Sequence, residues 1–498
     1  MSAAERTTDP QSLALGRQMR RPSGGEPGAP RAATSFEHVE GWGMAVGAPS
    51  RVYRPRNVEE LRASLAECRS DGVTLGPRGS GCSYGDASVN AGGRVIDTTG
   101  MARILGFDRA RGIAELEPGV TIKDLWQRIL PLGFWPRVVS GTMFPTVAGA
   151  AAMNIHGKNN YAVGTFGDAV REFDLLLASG EILTATREQN ADIFHAAIGG
   201  FGMLGLFTRV VLETKQVHSG ELEVGAVSVR NLRAMMAAFE ARTSSADYLV
   251  GWIDCFGKGD QLGRGLIHVG RYLAPGEDPK PEDTLTVAHQ ELPSRILGLF
   301  PKSEVWRLLG PFCNDRGMAL INFSKVMAGR MEARRAPYRQ SHAGFAFLLD
   351  YVPNWKWAYG RGGLIQYQSF LPKETAHEVY SELLKHCHWR GIVPYLGVFK
   401  RHRPDPFLLT HAVDGWSFAM DFKVTPSNRE ALWKHCRELT DIVLSGGGRF
   451  YFAKDLVLEP DQARRMYAPA NLDAFLALKQ RLDPNGLFAT NLWRRLFT

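Results

Sequence analysis

The chain has 498 residues, 44% of them hydrophobic and 22% charged. That composition supports a substantial core, excludes global disorder, and leaves room for two domains or one embedded in another. Lys+Arg 59 against Asp+Glu 51 leaves a net charge of +8, which suits anionic substrates or an acidic membrane surface and is too diffuse to argue nucleic acid.

Residues 1–33 are rich in Arg, Ser, Gly and Pro and read as disordered. They carry no apolar stretch for a signal peptide, and no hydrophobic run follows Arg20-Arg21. Asn57 is a helix cap, with Glu60 at the capping-box position and Leu61, Leu65 and Cys68 on one face. Val73 to Leu75 reads as a short strand, followed by the loop Gly76-Pro77-Arg78-Gly79-Ser80-Gly81-Cys82-Ser83-Tyr84-Gly85-Asp86. A strand is expected at Arg94 to Asp97. Thr121 with Asp124 opens a helix whose apolar face is Ile122, Leu125 and Ile129. Asp174 to Leu177 and Phe207 to Leu212 read as strands.

From about 216 the texture changes. Tyr248 to Ile253, Leu266 to Val269 and Leu364 to Phe370 read as strands of an antiparallel sheet, with helices over 373–387 and 427–442. Residues 274–294 read as an exposed loop. The apolar stretch through Ile296 to Phe300 and Val305 to Leu309 reads as a buried packing element, with a mobile lid or membrane-facing patch as alternatives. Six scattered cysteines read as reduced, mostly buried thiols. No run reaches 18 apolar residues, so no membrane span is expected and a cytoplasmic protein is the simplest reading.

The loop from Gly76 is not the Rossmann fingerprint, since no amphipathic helix continues it, and it lacks the GK[ST] ending of a P-loop. Its backbone N–H groups can still form an anion nest. Two further small-residue stretches accompany it. One runs from Gly141-Thr142 through Gly149 to Asn154-Ile155-His156-Gly157-Lys158-Asn159, and the other is Gly164-Thr165-Phe166-Gly167. Several such loops let backbone approach a flat, extended ligand, and a nucleotide cofactor fits them.

These stretches, with Gly199-Gly200-Phe201-Gly202-Met203-Leu204-Gly205, Gln366-Tyr367-Gln368, Phe399-Lys400, Gly415-Trp416, Asp421-Phe422 and Ala453-Lys454-Asp455, resemble the FAD-linked oxidases of the vanillyl-alcohol-oxidase type. The resemblance spans about 40 to 495 and is strongest to the branch acting on polyprenyl-phosphate-linked pentoses. It implies an α+β fold with a FAD-binding domain from 34–215 and 447–498. An antiparallel-sheet substrate domain over 216–446 is inserted there, with a mobile loop at 274–312.

The resemblance implies FAD held by Arg78, Gly79, Ser80, Gly81, Cys82, Ser83, Tyr84, Gly85, Gly141, Thr142, Gly149, Asn154, His156, Gly157, Asn159, Thr165, Gly205 and Lys454. Cys82 stands where many relatives tether flavin through histidine, which implies non-covalent FAD. No metal is implied.

The same resemblance implies that Lys454, His156 and Tyr84 are catalytic, and that Lys158, Trp252, Gln366, Gln368, Lys400, Ser417 and Tyr451 meet the substrate. Lys454 takes or relays the hydroxyl proton, or orients the hydroxyl. Three lysines around one cavity favour a phosphorylated sugar. Ala419 stands where that branch has a cysteine, Ser417 where it has asparagine, and Val250 where it has serine.

The reading is oxidation of the 2-hydroxyl of a lipid-phosphate pentose to a 2-keto sugar, half of an epimerisation completed by a short-chain reductase partner. It allows peripheral contact with the inner face of the membrane. A soluble alditol or sugar oxidase using oxygen is the alternative, and an assembly protein without turnover is the third option.

Overall fold

A computed structural model describes residues 31–296 and 300–498. Of the segment 1–33 expected to be disordered, residues 1–30 lie outside the described residues, as do the apolar residues 297–299. Ala33 already begins a strand, Ala33–Glu40.

Local signals decide the first elements. The Asn57 side chain accepts from the Glu60 N–H at 2.9 Å, and the helix Val58–Ser70 buries Leu61, Leu65 and Cys68. Thr121 and Asp124 form a reciprocal capping box over Ile122–Ile129. The strand expected at Val73 starts later, at Leu75–Arg78, because its ladder pairs Leu75 through Arg78 with Arg94 through Asp97.

The first sheet has the spatial order Ala33–Glu40, Gly47–Arg54, Arg94–Asp97, Leu75–Arg78. The second runs Ile104–Asp108, Ile113–Leu116, Leu206–Gln216, Val170–Leu176, Ile182–Thr186, with Phe134–Pro136 beside the far end of 206–216. The third is antiparallel, with eight strands in the order Tyr338–Ser341, Glu221–Val229, Gly265–Tyr272, Tyr248–Ile253, Leu396–His402, Gly415–Lys423, Leu364–Pro372, Arg449–Phe450. Helices Ala376–Arg390 and Arg429–Ser445 pack together outside it, and Val379, Leu383, Leu439 and Val443 are buried.

Residues 274–294 are mostly exposed, as expected, but they are pinned at a few buried points. Pro281–Thr284 is a helical turn, and buried Gln290 donates to the Gly220 carbonyl at 2.8 Å while accepting from the Ala343 N–H at 3.0 Å. The stretch that follows is amphipathic rather than buried throughout. In the helix Val305–Leu309, Val305 is buried and Leu308 exposed. All six cysteines are free, five of them buried.

The chain's last helices return to its first sheet. Leu75 N–H donates to Leu487 at 2.7 Å, and Arg495, in the helix Asn491–Phe497, reaches three segments at once. Its guanidinium holds Asp86 through two bonds of 2.9 Å, Asp455 at 2.8 Å and the Leu458 carbonyl at 2.7 Å. Both aspartates are buried. Arg495→Ala would leave them uncompensated, so it should destabilise the fold by about 3–5 kcal/mol, the range for breaking a buried ion pair. Denaturant unfolding checks this, and a loss under about 1 kcal/mol would mean water replaces the guanidinium.

Candidate active site

One cavity of about 1570 Å³ runs between the glycine-rich segments and one face of the eight-stranded sheet. Ordinary small-molecule pockets hold roughly 300–1,000 Å³, so this one has room for a large cofactor and a second ligand. One wall comprises Pro77 to Tyr84, Gly141 to Thr146, Gly149, Met153, Gly202 and Gly205.

Sheet register builds the opposite wall. Residues paired across an antiparallel ladder share a face. Trp252 pairs with Val398, Val398 with Ala419, and Ala419 with Gln368, while Asp421 pairs with Gln366 and Ser417 with Lys400. Val250, Trp252, His268, Gln366, Gln368, Val398, Lys400 and Ala419 all line the cavity.

Lys454 enters from the turn after the final strand, Arg449–Phe450. Its ammonium lies 3.3 Å from the centroid of the Tyr84 ring. The two segments are stitched by the Tyr84 N–H donating to the Ala453 carbonyl at 2.8 Å. Burial lowers the Lys454 ammonium to about 7, with the Asp421 carboxylate opposing that fall. Burial raises Asp421 to about 7 although Gln366 donates to it at 2.7 Å. Burial alone lowers Lys400 to about 8. His156 sits among these groups, with Lys400 Nζ 3.4 Å from Nδ1 and the Gln368 amide 3.0 Å from Nε2. Burial, with the Lys400 charge next, holds its imidazole well below the usual range, so the ring is neutral.

The expected residues divide. Arg78 to Tyr84, Gly141, Thr142, Gly149, His156, Lys158, Gly205, Trp252, Gln366, Gln368, Lys400, Tyr451 and Lys454 line the cavity. Gly85, Asn154, Gly157, Asn159, Thr165 and Ser417 do not, and stand one layer behind it. A Cβ on Gly85 would meet the Asp455 carbonyl, so this glycine lets the loop touch the lysine-bearing turn. Asn154 and Thr165 both donate to Asp405, at 3.0 and 2.8 Å. Asn159 donates to the Arg137 carbonyl, and the Ser417 hydroxyl meets His402 Nε2 at 2.7 Å.

Two lining residues are already engaged. Lys158 gives its ammonium to the carbonyls of Phe345 and of Ala346, the latter at 3.0 Å, which positions that turn rather than leaving a free cation for substrate. Thr142 donates to Asp350 at 2.7 Å. Asp421 was absent from the sequence-based site, although it lies two residues from Ala419 on the same strand face and so carried a period-two signal. His402 and His411 were also missed. Their rings pack 5.1 and 5.4 Å from His156.

Outside the cavity, His386, His435 and Glu438 bring possible metal-ligand atoms within 4.8 Å of one another. Glu438, however, already accepts from His386 at 3.0 Å and from the Arg390 guanidinium at 3.0 and 2.5 Å. That cluster is an ion-pair network.

The sequence pattern of the FAD binding domain matches residues 49–186. Decaprenylphosphoryl-beta-D-ribose oxidase of Mycolicibacterium smegmatis is 30% identical over 473 residues, covering 93% of this chain and 98% of that protein. The chain belongs to that family of FAD-linked oxidoreductases. An uncharacterised protein of Streptomyces coelicolor is 26% identical over 385 residues, 76% of this chain and all of that protein. D-lactate dehydrogenase of Anaerostipes hadrus is 29% identical over 184 residues, 36% of this chain and 39% of that protein.

The cofactor is FAD, held non-covalently. The cavity suits it. Gly81 has φ +67° and bends the loop where a Cβ would strike the Arg78 guanidinium. The buried Tyr84 hydroxyl has no partner within the protein. Burial pushes the Cys82 thiol up to about 11, leaving little thiolate to attack a flavin. Acid precipitation should therefore release yellow FAD and leave a colourless pellet, and Cys82→Ala should keep its flavin content. A pellet that stays yellow in the wild type and not in Cys82→Ala would show a cysteinyl bond.

Proposed function

We propose that this oxidoreductase oxidises the 2-hydroxyl of a polyprenyl-phosphate-linked pentose to a 2-keto sugar. The observation that carries the reading is the meeting of Lys454, Lys400, Gln366 and Gln368 across one cavity from the glycine-rich wall. We take 34–215 with 447–498 as the cofactor-binding part and 216–446 as the part over the substrate. Bound FAD would supply the hydride acceptor for the carbinol carbon, held by the glycine-rich wall.

The hydroxyl proton then needs an acceptor, and Lys454 is suited to the task. At neutral pH a large fraction of its amine is unprotonated, because burial outweighs the help from Asp421. Gln366, fixed by Asp421, and Gln368, beside neutral His156, offer amide groups to orient sugar hydroxyls. Lys400 supplies charge toward anionic oxygens. The keto product calls for a separate reductase to return a hydroxyl of inverted configuration, which completes an epimerisation. The absence of a tethering histidine at Cys82 weighs against the alditol-oxidase alternative.

A panel of lipid-phosphate pentoses and free alditols, mixed anaerobically with the enzyme, separates the readings. Flavin bleaching by the lipid-linked sugars is the expected result, and bleaching by free alditols alone would favour the alternative. Lys454→Ala, with full FAD occupancy verified, should slow flavin reduction at saturating substrate by ~10²–10⁴-fold. Lys400→Ala should mainly raise KM, since a contact equal in ground and transition states leaves kcat unchanged.

The same assignment fixes the sign of the pH dependence. A base works deprotonated, so kcat/KM for reduction should rise with pH through about 7 and fall below it. That limb should vanish in Lys454→Ala. An unchanged limb would transfer the role to another group.

A further inference from the structure

The helix Asp315–Glu332 has two faces of different chemistry. Asn322, Val326 and Gly329 are buried. Gly329 packs on Leu266, and Asn322 donates to the Tyr395 carbonyl at 3.2 Å. On its other side Leu320, Phe323, Met327 and Met331 recur at spacings of three and four and are 43–60% exposed. Leu308 and Phe312 continue the exposed apolar surface in the preceding turns, at 55% and 49%. Among the described residues nothing covers this stripe, and its members neighbour one another along the helix, unlike scattered exposed side chains.

The flanking charges are mostly positive. Arg316, Arg330, Arg334 and Arg335 are exposed, and among the described residues none has a carboxylate within 4.0 Å. Four exposed arginines outnumber the two acids of the helix, which lie at its ends. Asp315 accepts from the Tyr395 hydroxyl at 2.9 Å, and Glu332 lies 4.0 Å from His268. An apolar stripe rimmed by free arginines matches a surface that is apolar beneath and anionic on top. A second copy of the same face would bring arginines against arginines.

The stripe also adjoins the cavity. Lys325, on the same helix, lies 4.5 Å from the Trp252 ring and lines the cavity, as do Trp306 and Arg307 just before it. We propose that the face formed by residues 308–331 docks the enzyme on a membrane rich in anionic lipid, presenting the cavity mouth to the leaflet. The lipid-linked reading of the substrate supplies the purpose of such docking, but the surface stands as evidence without it.

The test uses the FAD-loaded full chain and no sugar, so failure of the proposed substrate leaves it intact. Sedimentation with vesicles of phosphatidylglycerol and phosphatidylcholine in equal parts should pellet the wild type, and vesicles of phosphatidylcholine alone should pellet much less. Added salt should weaken the binding by screening. Phe323→Gln with Met327→Gln should reduce it about tenfold or more, since burying the remaining exposed half of the two side chains together is worth about the free energy of one decade or more.

Should that variant fail to fold, hydrogen exchange on the wild type carries the test, because vesicles should slow exchange within residues 315–332. No binding to anionic vesicles at low salt, equal binding by the folded variant, or unchanged exchange in that helix would overturn the proposal. So would a wild-type dimer in solution that the same substitutions dissociate, which would make this face a subunit interface.

Discussion

The Arg495 guanidinium ties together the parts of the molecule on which the cavity depends. Asp86 ends the glycine loop, Asp455 follows Lys454, and Leu458 belongs to the next turn, yet all three meet this one side chain. Two buried carboxylates at close range call for a shared cation. A bidentate guanidinium answers both and fixes distance as well as charge. Gly85, pressed against the Asp455 carbonyl, and Tyr84, bonded to Ala453, complete the joint. The position of Lys454 over the Tyr84 ring is therefore set by the C-terminal helix together with the lysine's own turn, which the Lys454 and Asp455 N–H groups close on the Tyr451 carbonyl.

Charge inside the cavity is arranged around scarcity of counter-ions. Lys400 and Lys325 are both lowered to about 8 by burial, and Lys454 to about 7. Asp421 is the carboxylate that opposes the fall at Lys454, and its own burial weakens it. Lys158 spends its ammonium on backbone carbonyls. Such a cavity is a poor home for three full positive charges and a good one for an incoming anion. The anion's charge would raise the amines that face it, so binding and protonation reinforce each other.

Much of the frame was legible because it rests on local chemistry. Asn57 and the Thr121–Asp124 box announce helices through side chains that satisfy nearby N–H groups, and both were found where the sequence placed them. The pair Gln366 and Gln368 revealed its shared face through the period of a strand. What escaped depends on partners far along the chain. Arg495 finds Asp86 409 positions away, Thr142 spends its hydroxyl on Asp350 208 positions on, and Asn154 faces Asp405 across 251. Small polar residues in a glycine-rich stretch look alike whether they face a ligand or brace the loop behind it. The fold of the 274–294 segment was hidden for a related reason: Gln290 is buried only because the Gly220 carbonyl accepts from its amide and the Ala343 N–H donates to it.

Register is what turns the sheet into a wall of chosen chemistry. Sliding the Gly415–Lys423 strand by one residue would replace Ser417, Ala419 and Asp421 on the cavity side with Trp416, Phe418 and Met420. Those three now fill the opposite, fully buried side, where Trp416 stacks on Phe399 at 5.0 Å and Phe418 meets Tyr380 at 5.5 Å. The aromatic packing therefore holds the polar row in place, although it touches nothing in the cavity. On the cavity side Ala419 sits between Val398 and Gln368, and Val250 lies beside His268 across its own ladder. Neither side chain can hydrogen-bond, so the centre of the wall offers shape while Gln366, Gln368 and Lys400 around it offer polar groups. Substrate differences between relatives should then concentrate at the two apolar positions, because a changed side chain there reshapes the pocket without disturbing the placement of Lys454.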